Sequence, residues 1–452
     1  MSYIPHRKED RERMLAALGL NSLEELFLHV PSSLRCGLSQ RLAEPLAERE
    51  ILNEIQRYAH QNFQGQSFVG FGLYDHYVPA VVNHLANLRP FVTSYTPYQA
   101  EVAQGTLQAL FEFQSLMVLL TDMEIANASL YDGATAMVEA VRMALRMRGS
   151  LSETKIVISE GIHPYYRETL KTYFPSQLCE LLNVTFVYLP VGEDGETRWQ
   201  LAQGGDIFVF QNPNFWGVEE KGAIIIKQNF PQAQVLYGTN EPHSLTVLDS
   251  PRHWGAHVVW GEAQSLGLPT MFGGPSLGFL AARREYLRQM PGRLIGQTSA
   301  KTALGEPCEA YVITLSTREQ HIRREKATSN ICSNQTLMAI RSAIYMAYHG
   351  WDGLQTIYRR CVYLAKKFAQ KLWEINPKLL LWKPEKSLHE VLWKTPRRKA
   401  IFEAAIREGI YPGYPLEDDK VLSYFPEYTH EDDLEKLLTI IAYFEASDTK
   451  KP

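Results

Sequence analysis

The chain reads as an α/β protein built on a mostly parallel, seven-stranded sheet. Three observations carry that expectation. Seven short apolar runs recur at 125–128, 155–159, 184–189, 207–210, 235–237, 257–260 and 278–281. Helical patterns lie between many of them, as at 134–148 and 164–172, and strands alternating with helices make a parallel sheet. The balance of 45% hydrophobic and 21% charged residues over 452 positions suits a soluble globular chain of two or three domains.

The totals also exclude classes of function. A net charge of −4 points to neither nucleic acid nor an anionic membrane as partner. The longest apolar runs, such as 113–120, fall far below the roughly 18 residues that span a bilayer. The opening MSYIPHRKEDRERM has no apolar core and is not a signal peptide. Cys36, Cys179, Cys308, Cys332 and Cys361 form no CxxC pair. That speaks against a disulfide framework and a structural zinc site, so no metal is expected, and it suits a reducing cytoplasm.

Residues 1–60 are charged, with apolar positions at Leu15, Leu18, Leu23, Leu26 and Phe27, and read as an arm of short helices. Residues 61–330 read as the large α/β domain. Its first part, GLYDHYVPAVVNHLANLRPFVTSYTPYQ, concentrates Gly72, Tyr74, Asp75, His76, Tyr77, Tyr95 and Tyr98. Tyrosines in such numbers suit an interface, because the ring is apolar and the hydroxyl can hydrogen-bond. Thr96 as N-cap, Pro97 in the first turn and Gln99 in a capping box predict a helix running to about residue 120. Its N-terminus would place Tyr98 and Gln99 where a carboxylate or phosphate is favoured.

Ligands of such sheets bind at the carboxyl ends of the strands. Polar turns stand there. Tyr131-Asp132-Gly133-Ala134-Thr135 opens a helix, either as an ordinary cap or as a phosphate cup. Two further turns are QNPNFWG (211–217) and GTNEPH (238–243), the latter containing Glu241. Residues 290–296 read as a turn around Arg293. Arg318, His321, Arg323, Arg324 and Lys326 form a basic run leading into a long helix at about 333–349. Such a run is ordinarily a solvated face, or else a clamp for carboxylates or an acidic partner. Residues 331–452 read as that helix, a second one from Trp351 to about 373, and a small α+β domain. In that domain the expected strands are 379–382, 390–393 and 421–425, the helices 396–407 and 431–444, and the loop 409–415.

Several long stretches together resemble one family. They are GLYDHYVPAVVNHL (72–85), YTPYQAEVAQGTLQALFEFQ (95–114), IANASLYDGATAMVEA (125–140), QNPNFWGV (211–218), GEAQSLGLPTMFGGPSLGF (261–279), RQMPGRLIGQT (288–298) and TREQHIRREKATSNICSNQ (317–335). The resemblance is to the P-protein of the glycine cleavage system, in particular subunit 1 of its two-chain form. It implies the fold type I architecture of pyridoxal-phosphate (PLP) enzymes, in which the cofactor lysine sits in a turn between two late strands and an acid faces the pyridine nitrogen. Here that turn is Glu262-Ala263-Gln264-Ser265-Leu266, and no lysine occurs between residues 228 and 300. A Schiff base needs an amine, and neither Gln264 nor Ser265 supplies one, so the resemblance implies a vestigial site with Ser265 near the lysine's place. Glu241 is either the acid that faces the pyridine nitrogen or a surface acid.

The resemblance further implies an α2β2 assembly with subunit 2, which carries the PLP. Glycine is decarboxylated and its aminomethyl group passes to the lipoyl arm of H-protein, with T- and L-proteins in the same pathway. Its segments point to Tyr95, Tyr98 and His76 as groups that orient glycine or the lipoyl arm. Gly72, Tyr74, Asp75, Thr96, Gln99 and Glu101 would form the surrounding shell, and Arg318, His321, Arg323, Arg324 and Lys326 the partner or carboxylate contacts. Two other readings stand beside it. One is a scaffold or H-protein docking subunit. The other is an independent PLP enzyme using Lys227, Lys301 or Lys326.

Overall fold

The computed structural model describes residues 6–35, 43–149, 153–271, 273–302, 304–332 and 334–446. Contacts divide the chain into two compact units, one ending at Gln64 and the other beginning at Gly65. The first holds helices Lys8–Ala17 and Glu48–Ala59 and the 3-10 turn Leu23–Phe27, none of which buries a residue. Acidic residues open both helices, where the macrodipole favours negative charge. Cys36 lies outside the described residues.

A seven-stranded sheet centres the second unit. Its strands are β1 (Ile125–Ala126), β2 (Thr154–Ser159), β3 (Val184–Leu189), β4 (Ile207–Gln211), β5 (Gln234–Thr239), β6 (Val258–Glu262) and β7 (Gly278–Ala282). Each expected apolar run is one of these strands. The order is β1-β7-β6-β5-β4-β2-β3. Strands β2 to β6 pair in parallel, and β7 runs antiparallel to both its neighbours.

Both faces are buried, which is why the strands read as unbroken apolar runs. Ile156, Ile158, Ile207, Val209 and Leu236 share one core with helix Gly133–Arg148. Their alternates Val157, Phe208, Phe210, Val235 and Tyr237 share the other with helix Gln104–Thr121. Side chains alternate faces with period two, so one strand feeds both cores. No helix among the described residues is long and apolar enough to cross a membrane.

Several local expectations are corrected. The helix expected from Thr96 begins at Gln104, after a 3-10 turn at Ala100–Val102, and neither Thr96 nor Gln99 caps it. A tertiary contact outweighs the capping pattern. Between β7 and the long helix stands a hairpin of β8 (Leu294–Lys301) and β9 (Pro307–Thr314), so the turn expected to reach residue 296 stops at Arg293. Two glutamines of helix Gln104–Thr121 grip this hairpin as a strand would. Gln104 donates to Tyr311 O and accepts from Tyr311 N, both at 2.9 Å. Gln114 donates to Ile295 O at 3.0 Å and accepts from Ile295 N at 2.9 Å.

The long helical segment spans Thr336–Ile375 and breaks at Gly350 (φ 60°, ψ −176°), giving the two helices expected on either side of Trp351. Ser333, the expected start, lies outside the described residues. Residues 379–382 are not a strand. Asn376 caps a 3-10 turn at Pro377–Leu379, leaving one bridge, Leu380 to Trp393. The expected loop 409–415 contains two short strands. Ile410–Tyr411 pairs with Gln66–Ser67, and Tyr414–Pro415 joins Glu390–Lys394 and Lys420–Tyr424 in a three-stranded sheet.

Gln114→Ala strips both backbone partners from Ile295, which is 4% exposed. An unmet buried polar group costs about 1–3 kcal/mol. The variant is therefore expected to melt several degrees below the parent protein, and an unchanged thermal midpoint would refute the glutamine clasp.

Candidate functional site

The carboxyl ends of β4, β5 and β6 open onto one crevice, and the segment 72–76 lies across it. Gly72 takes φ +83°, and a Cβ there would meet His163 Cδ2 at 2.7 Å and Asn240 Nδ2 at 3.2 Å. Only glycine passes so close in a left-handed turn. Tyr74 is tied to the turn after β6 at both backbone groups. Its N–H donates to Gln264 Oε1 at 2.9 Å, and its carbonyl accepts from Gln264 Nε2 at 3.1 Å. Its hydroxyl donates to Glu390 Oε2 at 2.9 Å. Asp75 accepts from the Tyr428 hydroxyl at 2.6 Å.

His76 sits between two carboxylates. Its Nδ1 is 2.7 Å from Glu427 Oε2 and its Nε2 is 3.1 Å from Glu241 Oε2, with the ring 1% exposed. An imidazole facing acceptors at both nitrogens carries a proton on each. Glu241 also accepts from His243 Nδ1 at 2.5 Å, from His243 N at 3.1 Å and from Ser265 Oγ at 3.2 Å. His243 Nε2 lies 3.2 Å from the Tyr345 hydroxyl, which assigns His243 as the neutral Nδ1–H tautomer. Glu262, at the end of β6, accepts from Gly133 N and Gln264 N at 3.0 Å and from Leu277 N at 2.7 Å.

The electrostatics follow from this packing. Burial pulls His76 down, but the charges of Glu241 and Glu427 and the bonds to them outweigh it and raise its pKa to about 10. Burial alone would raise Glu241; His243 and His76 hold it well below the ordinary carboxylate value. Burial pushes Glu262 up to about 7 against the bonds from Leu277 and Gly133, and Glu390 up to about 8 against those from Tyr74 and Phe71. Burial lowers His163 to about 4.

Tyr95 and Tyr98 are elsewhere. With Thr96, Gln99, Val102 and Thr106 they line an open groove of about 600 Å³. Tyr95 is 81% exposed and Tyr98 54%. The Tyr98 ring centroid lies 5.5 Å from the Arg293 guanidinium carbon and 5.6 Å from the His321 ring. Arg293 is itself buried, donating to Cys332 O at 3.0 Å and Asn334 Oδ1 at 3.3 Å. Glu101 is exposed on the 3-10 turn that follows. The structure thus brings Tyr95, Thr96, Tyr98 and Gln99 together with His321, and separates His76, whose polar partners are Glu241, Glu427 and Tyr424.

The basic run divides as well. It forms short turns in place of one helical stretch. Arg318 turns inward and donates to the carbonyls of Met290, Gly292 and Leu315, whereas His321, Arg323, Arg324 and Lys326 are exposed. Of the lysines proposed as substitutes, Lys227 donates to His253 O, and it, Lys301 and Lys326 are all exposed, away from the buried Glu241 and Ser265.

The match to a family model is decisive. The model described as "Glycine cleavage system P-protein" matches residues 1–441. The chain belongs to the glycine cleavage system P-protein family. The "Probable glycine dehydrogenase (decarboxylating) subunit 1" of Moorella thermoacetica is 44% identical over 376 residues, covering 82% of each chain. A crystal structure of glycine decarboxylase (P-protein) of the glycine cleavage system, in inhibitor-bound form, superposes with a TM-score of 0.84 at 37% identity, covering 98% of this chain and 100% of that one. A sphingosine-1-phosphate lyase of Burkholderia pseudomallei, at 12% identity and TM-score 0.62 over 93% and 94% of the two chains, shares the fold alone. The fold is type I of the PLP-dependent enzymes.

Measured against that fold, this P-protein chain does not fit PLP in its own crevice. Ser265 offers no amine. Glu241, just past the carboxyl end of β5 and buried, already accepts from His76, His243 and Ser265. At the helix start after β1, Asp132 caps Thr135 N and Glu262 takes Gly133 N, so carboxylates stand where a phosphate would bind. Asn214, in the turn after β4, spends its side chain on Gly195 and Glu220. Glu427 and Glu390 come from the C-terminal layer, and no local pattern near either one announced its partner.

Gly72→Ala forces a Cβ into His163 and strains the left-handed turn, at a cost of about 1–3 kcal/mol. The expected result is a lower thermal midpoint with faster amide exchange over 72–76; protection equal to the parent's would show that the segment is not held there.

Proposed function

We propose that this chain is a subunit of glycine dehydrogenase (aminomethyl-transferring, decarboxylating) that completes an active site whose PLP is held by the second P-protein subunit. The observation that carries this reading is the chain's own crevice. It has the fold of a cofactor site, yet its turn at 262–266 holds no lysine, and Glu241 and Gly133 are engaged by the chain's own side chains. The relatives named subunit 1 at 37–44% identity support the two-chain arrangement.

In this reading glycine is the substrate, and the aminomethyl group left after decarboxylation goes to lipoylated H-protein, with T- and L-proteins acting in the same pathway. The bound cofactor supplies the electron sink for decarboxylation. This chain supplies position and polarity. Tyr95 and Tyr98 present hydroxyls at the groove, where they orient glycine or the lipoyl arm. Thr96, Gln99 and Glu101 shape its edge. Arg293 beneath Tyr98, with His321 beside it, holds the ring by cation–π and edge contacts and favours a carboxylate nearby.

Tyr95→Phe with Tyr98→Phe, in the complex with the second subunit, is expected to lower glycine decarboxylation about 10²-fold, as displaced orienting groups do. Cofactor absorbance of the complex should stay unchanged. Normal turnover in the double variant would sink the shared-site reading.

A second reading, docking of an acidic partner such as H-protein, draws on the exposure of Arg323, Arg324 and Lys326 near that groove. Charge reversal at Arg323 and Arg324 is then expected to raise the KM for H-protein and flatten its salt dependence, with little change in glycine binding. An unchanged KM would remove the docking role.

A further inference from the structure

The vestigial crevice has more wrong with it, as a cofactor site, than a missing lysine. We infer that it is plugged: the segment 72–76 inserts His76 as an imidazolium that bonds Glu241 where the pyridinium nitrogen stands in this fold, while Glu262 takes the helix-end N–H where the phosphate stands. The plug lets this subunit fold as a cofactor-independent body, and restoring a lysine at position 265 does not restore PLP binding. The inference rests on the reading that this chain holds no PLP of its own.

The geometry closes on itself. Each His76 nitrogen faces its own carboxylate, at 2.7 Å and 3.1 Å. Tyr77 N donates to the other oxygen of Glu427 at 2.8 Å, so the carboxylate is fixed by backbone as well as by the ring. The Tyr424 hydroxyl, 3.2 Å from His76 Nε2, donates to Asp75 O at 3.1 Å. Tyr74 and Gln264 lock the same segment to the turn that carries Ser265. The donor atoms of His76, Glu241 and His243 lie within 4.8 Å of one another, close enough to share a metal ion. Protons already satisfy them: three of the four contacts are nitrogen-to-carboxylate, and the fourth is His243 to Tyr345.

The plug also has a pH signature. The groups facing His76 are Glu241 from the end of β5, His243 on the turn after it, Glu427, Tyr424 and Cys361 from the C-terminal layer and the long helix, and Tyr345 behind His243. Glu241 and Glu427 are held below the ordinary carboxylate value and stay charged; His243 is lowered, and Tyr345, Tyr424 and Cys361 are raised, so these stay neutral. His76 alone among them titrates in the alkaline range. Its pKa is raised from 6.5 to about 10, so its contribution is full below pH 6.5 and is lost as pH climbs to about 10.

The test uses the full chain co-produced with the second subunit. Ser265→Lys is saturated with PLP, reduced with borohydride, and this chain is weighed by mass spectrometry. The expected result is no cofactor adduct on this chain, with a thermal midpoint showing that the variant is folded. A stoichiometric adduct on the Ser265→Lys chain overturns the plug and leaves the shared-site reading intact. An adduct on the unmodified chain instead overturns that reading itself. The second measurement compares thermal midpoints with His76→Gln from pH 6 to 10.5. The parent's advantage of several degrees at pH 6 is expected to vanish by about pH 10. If His76→Gln does not fold, Glu427→Gln serves, its deficit closing over the same rise. A pH-independent gap, or a metal ion co-purifying one-to-one and lost with either variant, overturns the assignment.

Discussion

Glu241 stands at the carboxyl end of β5 and Glu427 in the C-terminal layer, nearly two hundred residues later, and both face the ring of His76. Glu241 is buried and Glu427 largely so; two carboxylates so placed repel each other and lose hydration, and removing the cation between them would leave that cost uncompensated. The imidazolium therefore ties three parts of the chain together: the carboxyl end of the central strand β5, the segment 72–76 and the C-terminal layer. Gly72 gives the segment the clearance to reach the crevice, and Gln264 binds it at backbone level.

That arrangement changes what the crevice is for. In a parallel sheet the carboxyl ends of the strands form the natural binding place, because the connections diverge there and leave polar backbone exposed. Here most of those polar groups are satisfied internally, the buried side-chain amide of Asn240 being an exception. Glu262 serves the helix start, Gln264 serves Tyr74, and Glu241 serves two histidines and a serine. The polar inventory of a ligand site is retained and turned inward as structure.

The outward chemistry sits on a different surface. The groove at Tyr95 and Tyr98 is open, and the Tyr98 ring rests against His321 and against Arg293, which is anchored in the loop before the long helix. A rigid support behind an exposed phenol suits a group that must be in place before its ligand arrives. The P-protein family membership and this division, structure within and an open groove without, accord with the proposed role of a body that shapes a neighbour's site.

Much was legible in the sequence, and the reasons are local. The inner strands of the main sheet announced themselves because both faces are buried, which makes the runs nearly continuous in apolar residues. The helix after β1 was readable from Asp132 and Thr135, which bond within four residues. The absent lysine was readable because it is a residue identity. The helix start near Thr96 was misjudged because Gln104 is held by Tyr311, and residues 379–382 because an Asn376 cap competes with pairing. His76 was legible as a chemically apt residue but not as a buried one. Its surroundings are set by Glu241 and Glu427, 165 and 351 residues away. Composition, periodicity and motif are properties of neighbours in the chain, and they determined the fold and the family. Which of the two tyrosine-bearing segments, 72–77 or 95–99, faces inward and which faces solvent depends on charges that meet only after the sheet has formed, and that was decided by the tertiary structure.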